Sequence, residues 1–108
     1  MPYEGYCPIT MIKERVLIPA EDVTFDPALE SAGTEASRIV DTHLLPYTTV
    51  PLVGDAITEQ IKYICADIAA GLFKRRTKPL SPDEGWLGHG FRKLQDYVRN
   101  SYLRGKIT

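Results

Sequence analysis

The chain has 108 residues, of which 44% are hydrophobic and 25% are charged. This length fits a single domain, and this composition is that of an ordinary globular protein rather than a disordered or fibrous one. No apolar run approaches the roughly 20 residues that a membrane-spanning helix needs, and the first residues lack the features of a secretion signal. We therefore expect one domain over residues 1–108 in an intracellular protein.

The net charge of -1 conceals an uneven distribution along the chain. Residues 1–73 carry eleven acidic and four basic residues, whereas residues 74–108 carry nine basic and three acidic ones. Such asymmetry can steer a basic segment onto nucleic acid, or let the basic part of one subunit meet the acidic part of another. The charge pattern does not choose between these two functions.

The N-terminal part of the chain predicts an arm followed by a short helix. Residues 1–8 mix proline, glycine and aromatic residues without a period, which is typical of an extended arm. Between Ile9 and Val16 the apolar residues have near-helical spacing, and Pro19 follows. We expect a short helix that ends near Leu17.

The first long helix is predicted from its start signal and its apolar stripe. Asp26 is a suitable capping residue, Pro27 fits the first helical position, and Pro46 requires the helix to stop before it. A stripe expected to face the core recurs at three and four residues: Leu29, Ala32, Ala36, Ile39, Val40 and His43. The small residues in this stretch would let a second helix pack closely.

A second long helix is expected after an extended connection over residues 46–55, which contains two prolines and a glycine. We place its start at about Asp55 and its end at the cations Lys74, Arg75 and Arg76, which complement the negative end of the helix dipole. Apolar residues cover nearly all of its surface and include Ile57, Ile61, Ile64, Cys65, Ile68 and Leu72. A helix with so little polar surface is predicted to occupy the centre of a bundle.

The last third predicts a loop, a helix and a tail. Residues 77–90 contain two prolines and three glycines, which favours a long loop. Apolar spacing from Phe91 to Tyr102 then predicts a third main helix, with Gly105 as its stop and residues 105–108 as a tail. Because no convincing strand pattern occurs, we predict an all-α fold: a small bundle of three main helices plus a short N-terminal helix.

The sequence contains no recognisable catalytic, metal-binding or cofactor-binding pattern. The glycines of residues 85–90 follow no strand and lack a phosphate-binding spacing. Two cysteines and two histidines are scattered without the short paired spacings that chelation favours: Cys7, His43, Cys65 and His89. We therefore expect no enzyme, no metal and no cofactor.

The same cysteines and histidines have ordinary interpretations. Two cysteines are too few for a disulfide scaffold, and Cys65 lies in an apolar stretch where a thiol acts as a small hydrophobe. His43 is expected to be a core histidine or a helix-end cation, and His89 to be solvated in the loop.

The basic C-terminal segment leaves several interpretations open. It is either a solvated helix face, a protein contact or a binder of nucleic acid backbone. Trp86 is either a lid on the core or an anchor at an interface, where Trp and Arg are enriched. The candidate interaction residues are Trp86, Arg92, Arg99, Tyr102 and Arg104.

The segment LIPAEDVTFDPALESAGTEASRIVDTHL, followed by PYTTVPLVGDAITEQIKYICADIAAGLFKRR, resembles the small head-tail connector proteins of tailed phages. The resemblance covers about residues 16 to 76. In that family an acidic loop leads to a first helix, a tyrosine-proline crossover reaches a Val-Pro step, and a helix rich in Ile and Ala follows. The corresponding segments here are Asp26 to Leu44, Tyr47 to Pro51, and Asp55 to Arg76.

The resemblance implies a structural virion protein, an adaptor or head completion subunit at the head-tail junction, made in the host cytoplasm. Its expected partners are further copies of itself in a ring of about twelve, the portal protein, and a stopper or tail-completion protein. DNA would pass through the ring without sequence-specific contacts. The alternative is a small helical nucleic-acid-binding regulator that uses the basic C-terminal segment.

Overall fold

The computed structural model describes residues 5–77 and 85–103, with side chains described for residues 5–75 and 88–101. Four helices form the fold: α1 (Ile9–Val16), α2 (Asp26–Leu44), α3 (Glu59–Thr77) and α4 (Gly85–Val98). A 3₁₀ turn, Gly54–Ala56, precedes α3, and a π-helical turn, Arg99–Leu103, follows α4. Within the described ranges there is no strand, so the predicted all-α fold of three main helices and a short N-terminal helix is confirmed.

Helix α3 occupies the centre of the bundle, as its apolar composition predicts. It packs against α1, α2 and α4. Its buried positions cover most of its circumference and comprise Ile61, Ile64, Cys65, Ala66, Asp67, Ile68, Ala69, Ala70 and Phe73. Because three helices cover it, no wide polar face is needed.

Helix α2 lies antiparallel to α3 and buries most of the predicted stripe, although Ile39 is only partly buried. The ring of Phe25, just before α2, contacts Phe73 near the end of α3, whereas Ser37 in the middle of α2 contacts Cys65. His43 is exposed rather than part of the core. Leu44, four residues after Val40, takes the buried position at the end of the stripe.

The bounds predicted for α2 are confirmed, but Asp26 does not cap the helix as predicted. Phe25 precedes the helix, and Asp26 lies in its first turn without making a side-chain cap. The carboxylate of Asp26 instead lies 2.9 Å from the ammonium nitrogen of Lys13 on α1. This ion pair joins the end of α1 to the start of α2.

Helix α3 begins at Glu59, four residues later than predicted. The backbone N–H of Ile61 donates a hydrogen bond to Thr58 Oγ1 at 3.2 Å, so Thr58 caps the helix. Before it, Gly54 has a left-handed backbone (φ +58°) and opens the 3₁₀ turn. The chain therefore changes direction between Asp55 and Thr58 and becomes α-helical only afterwards.

The predicted loop over residues 77–90 is wrong for its last six residues, because α4 begins at Gly85. Gly90 is a position of close helix contact: a Cβ atom added there would lie 2.5 Å from Ile68 Cγ1 and 2.9 Å from the backbone nitrogen of Ile68. Glycine thus allows α4 to approach α3. Residues 78–84 of the predicted loop, and the predicted stop and tail at 105–108, lie outside the described residues.

The predicted N-terminal arm is wrong for residues 5–8, where the side chains of Tyr6 and Cys7 belong to the core. The Tyr6 N–H donates to Ser37 Oγ at 2.9 Å, and the Tyr6 hydroxyl accepts from the Leu52 N–H at 2.8 Å. The same hydroxyl donates to the Asp41 carboxylate. Residues 5–8, here called the N-terminal segment, are therefore bound to α2 and to the connection that follows it.

Candidate assembly surfaces

A buried ionic cluster holds three helices in register. Asp67 on α3 is fully buried, and its Oδ1 accepts from Nε of Arg15 on α1 at 2.5 Å. Its Oδ2 lies 2.7 Å from Nζ of Lys93 on α4. The guanidinium of Arg15 also lies over the Tyr63 ring, 5.9 Å from its centroid. Both carboxylate oxygens face cations, which suits Asp67 to a structural role.

A groove with a volume of about 300 Å³ lies between α3 and the end of α4. Its walls combine two tyrosines with amide, hydroxyl and charged side chains: Gln60, Tyr63, Ile64, Lys93, Asp96, Tyr97, Asn100 and Ser101. Over residues 5–77 and 85–103, no three His, Cys, Asp or Glu side chains are grouped to hold a metal ion. None of the helices described is long and apolar enough to cross a membrane.

Exposed apolar side chains occur in the segment that leads from α1 into α2. Leu17, Val23 and Phe25 are here called the start patch, and Leu17 is 89% exposed. The ring of Phe25 rests edge-on against Phe73, with 5.9 Å between the ring centroids, so part of the patch is anchored on the core. Exposed apolar side chains mark a contact surface where they form a continuous patch.

A second set of exposed apolar side chains occurs in the connection that follows α2. Leu45, Tyr47 and Val53 are here called the end patch, and Val53 is 74% exposed. The patch is held by the α2 end, since the Tyr47 N–H donates to the Leu44 carbonyl at 2.9 Å. The cis peptide bond between Val50 and Pro51 lies within the same connection.

The two patches lie at opposite ends of one helix. Helix α2 has 19 residues, which corresponds to a length of roughly 28 Å. A single α2 thus carries one apolar surface at its start and a different one at its end. Two unlike surfaces, separated along one axis, are the arrangement that head-to-tail contacts between identical subunits use.

Leu17 combines a strained backbone with an exposed side chain. Leu17 ends α1 in a left-handed conformation, with φ 61° and ψ 39°. This region disfavours side chains with a Cβ and is usually occupied by glycine at helix ends. A leucine there costs stability, and its nearly complete exposure returns no burial within the monomer. Contact with another molecule would explain why an apolar side chain stands at this position.

The candidate interaction residues predicted from sequence are only partly described. Arg92 and Arg99 are both exposed, and their separation of seven residues places them on nearly the same side of the helix. Trp86 and Tyr102 lie in α4 and in the π-helical turn, but their side chains lie outside the described residues, as does Arg104. The structure thus brings Arg92 and Arg99 to one surface.

The sequence interpretation missed both patches and the contact between the two cysteines. Cys7 Sγ lies 3.6 Å from Cys65 Sγ, although the residues are 58 positions apart. The sequence pattern that could have indicated the patches is a leucine shortly before a proline at the end of a helix. It occurs at Leu17 and at Leu45, where a polar residue is more common. For the cysteines there was no local signal, because their contact depends on the folded N-terminal segment.

No protein-family model matches the sequence, and no curated protein or solved structure matches it significantly.

Proposed function

We propose that the protein is a head-tail connector subunit of a tailed phage, a structural component that forms a ring between the portal and the tail. In this function the ring continues the DNA channel, binds the portal protein on one side and a stopper or tail-completion protein on the other. DNA passes through it without being read. The subunit acts by assembly, without catalysis and without a cofactor, at the head-tail junction of the virion.

The observation that carries this proposal is that exposed apolar side chains occur in the segments at both ends of α2. A closed ring needs two different surfaces on each subunit, so that the start patch of one copy can contact the end patch of the next. Burying a leucine or valine side chain contributes about 2 kcal/mol. Three exposed apolar residues occur at each end of α2, among them Leu17 and Val53, and their burial would favour association.

Charged residues near the two ends of α3 favour the same head-to-tail orientation of neighbouring subunits. Asp55 and Glu59 lie at the N-terminal end of α3, beside the end patch, whereas Lys74 and Arg75 lie at its C-terminal end, near Phe73 and the start patch. Opposite charges flanking the two patches would orient one subunit relative to the next. The resemblance of residues 16–76 to phage connectors is the reason for placing such a ring in a virion.

The alternative, a nucleic-acid-binding regulator, has weaker support in the described part of α4. Lys93 is directed to the Asp67 carboxylate, and the exposed Asp96 lies on the same helix between Arg92 and Arg99. Binding to the phosphate backbone depends on Lys and Arg that neutralise phosphates, and a neighbouring carboxylate repels them. The described surface therefore favours protein contacts.

The test uses one variant for each patch and native mass spectrometry of the full chain over a range of concentrations. Leu17→Ser damages the start patch, and Val53→Ser damages the end patch. We expect the unaltered chain to form closed rings and each variant alone to be monomeric. An equimolar mixture of the two variants should form heterodimers, because one undamaged patch of each kind remains available.

Three outcomes would count against this proposal. Homodimers of either single variant would indicate a self-complementary contact rather than a head-to-tail one. A chain that stays monomeric up to its solubility limit would contradict self-assembly. Duplex DNA binding at low salt, falling steeply as salt rises, would favour the regulator. As a control, Gln95→Ala on an exposed position of α4 should leave the rings unchanged.

A further inference from the structure

We propose that Cys7 and Cys65 form a reversible disulfide that joins the N-terminal segment covalently to α3 when the protein meets a small-molecule disulfide oxidant. Both residues are thiols in the structure, and both are fully buried. The site is a modification site for thiol-disulfide exchange, independent of the proposed assembly function.

The geometry brings the two sulfurs together in the core. Cys7 Sγ–H donates to Cys65 Sγ, with 3.6 Å between the sulfurs. A disulfide bond requires about 2.05 Å, so the sulfurs must approach by about 1.5 Å. Cys7 lies in the non-helical N-terminal segment, whereas Cys65 lies in the middle of α3. The movement therefore falls to the segment rather than to the packed helix.

While the N-terminal segment is closed, the neighbours of Cys65 set the pKa of its thiol. Cys65 Sγ lies 3.4 Å from Ser37 Oγ and 3.8 Å from the Gly33 carbonyl oxygen. The hydrogen bond from Cys7 is the main cause that lowers the pKa of Cys65; burial acts in the opposite direction, and the contact with Ser37 lowers it further. The Ser37 hydroxyl has a single proton, which it donates to Gly33 at 2.8 Å or can turn toward a Cys65 thiolate.

The reaction is a balanced exchange with the small disulfide. The Cys65 thiolate attacks one sulfur of the oxidant, the sulfur-sulfur bond of the oxidant breaks, and the departing thiolate takes up the proton that Cys65 lost. Cys7 then loses its proton and attacks the Cys65 sulfur of the mixed disulfide, which releases the second small thiol. Two protein thiols are oxidised, and one small disulfide is reduced to two thiols.

Access for the oxidant requires the N-terminal segment to open, because neither sulfur is exposed. Tyr6 holds this segment closed through its N–H bond to Ser37, its hydroxyl bond to Asp41 and its acceptance of the Leu52 N–H. The rate of oxidation should therefore report how often these bonds break. The closed disulfide would then fix the segment in place.

The experiment treats the purified full-length protein with oxidised glutathione at mildly alkaline pH and follows its intact mass. We expect a final loss of two hydrogen atoms and, after digestion with trypsin without reductant, a linked pair of peptides covering residues 1–13 and 63–74. Dithiothreitol should reverse both changes. The thermal midpoint of the oxidised protein should rise by about 10 °C, because the bond closes a long loop.

A second measurement tests the opening of the segment. Tyr6→Phe removes the hydroxyl bonds, and we expect oxidation to be about tenfold faster with the same final product. Tyr63→Phe, a tyrosine change on the exposed side of α3, is the control and should leave the rate unchanged. Equal rates for Tyr6→Phe and the unaltered chain would overturn this opening route.

Other products would overturn the disulfide itself. A stable adduct with one glutathione at a single cysteine, or a disulfide between two chains, would contradict the pairing of Cys7 with Cys65. Persistent thiols in the native protein, while the same chain in denaturant becomes oxidised, would show that the folded geometry forbids the bond. The comparison with the denatured chain makes the result independent of whether cysteine variants fold.

Discussion

The middle of the bundle and the two ends of α2 differ in how their side chains are exposed: polar groups are buried in the middle, whereas apolar groups are exposed at the ends. In the middle, even polar groups are enclosed and partnered: Asp67 is fully buried between Arg15 and Lys93, and Gly90 gives α4 room to approach Ile68. At the ends, large apolar side chains such as those of Leu17 and Val53 face outward. The difference separates what stabilises the monomer from what is available for contact with other molecules.

The largest expected effect is at the ionic cluster in the middle. Asp67→Ala should lower the free energy of unfolding by about 3 kcal/mol, because it leaves the mostly buried Arg15 without its carboxylate. Urea unfolding measures this change. The matched control is Asp96→Ala on an exposed position of α4, which should stay within about 0.5 kcal/mol of the unaltered chain. A similarly small effect at Asp67 would show that the cluster is not stabilising.

The next effect concerns two glycines of α4 that differ only in their surroundings. Gly90→Ala should destabilise the protein by about 2 kcal/mol, because the new methyl group meets the side chain and backbone of Ile68. Gly88 has nothing within 4 Å of an added Cβ, so Gly88→Ala should stabilise by about 0.5 to 1 kcal/mol through helix propensity. Thermal unfolding of both variants tests the close crossing, and equal shifts would contradict it.

Tyr6 provides a test at the junction between the N-terminal segment and α2. Tyr6→Phe should lower the free energy of unfolding by about 1.5 kcal/mol at neutral pH, because the buried Leu52 N–H loses its acceptor. Denaturant unfolding measures the change. Tyr63→Phe, whose ring remains available to Arg15, is the control and should have little effect.

The same tyrosine makes stability depend on alkaline pH. Burial, and then the hydrogen bond to Asp41, raise the pKa of Tyr6 to about 12 from its ordinary value of 10.0. The folded protein therefore retains the phenol proton after the unfolded chain has lost it. This contribution to stability is complete below pH 10 and is lost as the pH rises to about 12. We expect a flatter stability curve for Tyr6→Phe in this window; parallel curves would contradict the shift.

The smallest expected change in the free energy of unfolding is a gain in stability, and it concerns Leu17 in the start patch. Leu17→Gly should stabilise the monomer by about 0.5 to 1 kcal/mol, because glycine accepts the left-handed backbone without strain. It should nevertheless abolish assembly, since the start patch loses its most exposed member. Leu45→Gly is the control: its backbone is right-handed helical, so it should bring no such gain. Loss of stability at Leu17 would contradict the strain.

Much of the fold could be predicted from the chain because helical periodicity is local. The spacing of Leu29, Ala32 and Ala36 predicts the buried face of α2, and the nearly continuous apolar surface of α3 predicts its central place. Glycine has two uses: it favours a loop in the sequence pattern of residues 77–90, but at Gly90 it permits a close helix crossing. A local pattern does not reveal which of these two uses applies.

The candidate surfaces were less predictable because they depend on contacts between distant residues. Cys7 belongs to the core only because Tyr6 finds partners on α2 and beyond it, 31 and more positions along the chain. The exposure of Leu17 and Leu45 depends on how the turns leave their helices. Leucine in itself predicts burial, so the composition of these turns pointed away from a contact surface.

The docking of the N-terminal segment has a consequence for synthesis. Cys7 contacts Cys65 across 58 positions, and Tyr6 contacts residues 31 to 46 positions downstream. Because translation proceeds from the N-terminus, Tyr6 lacks its last partner until Leu52 has been synthesised, and Cys7 lacks Cys65 until the first turns of α3 have been made. The N-terminal segment is therefore synthesised first but can pack completely against the core only after α3 has formed.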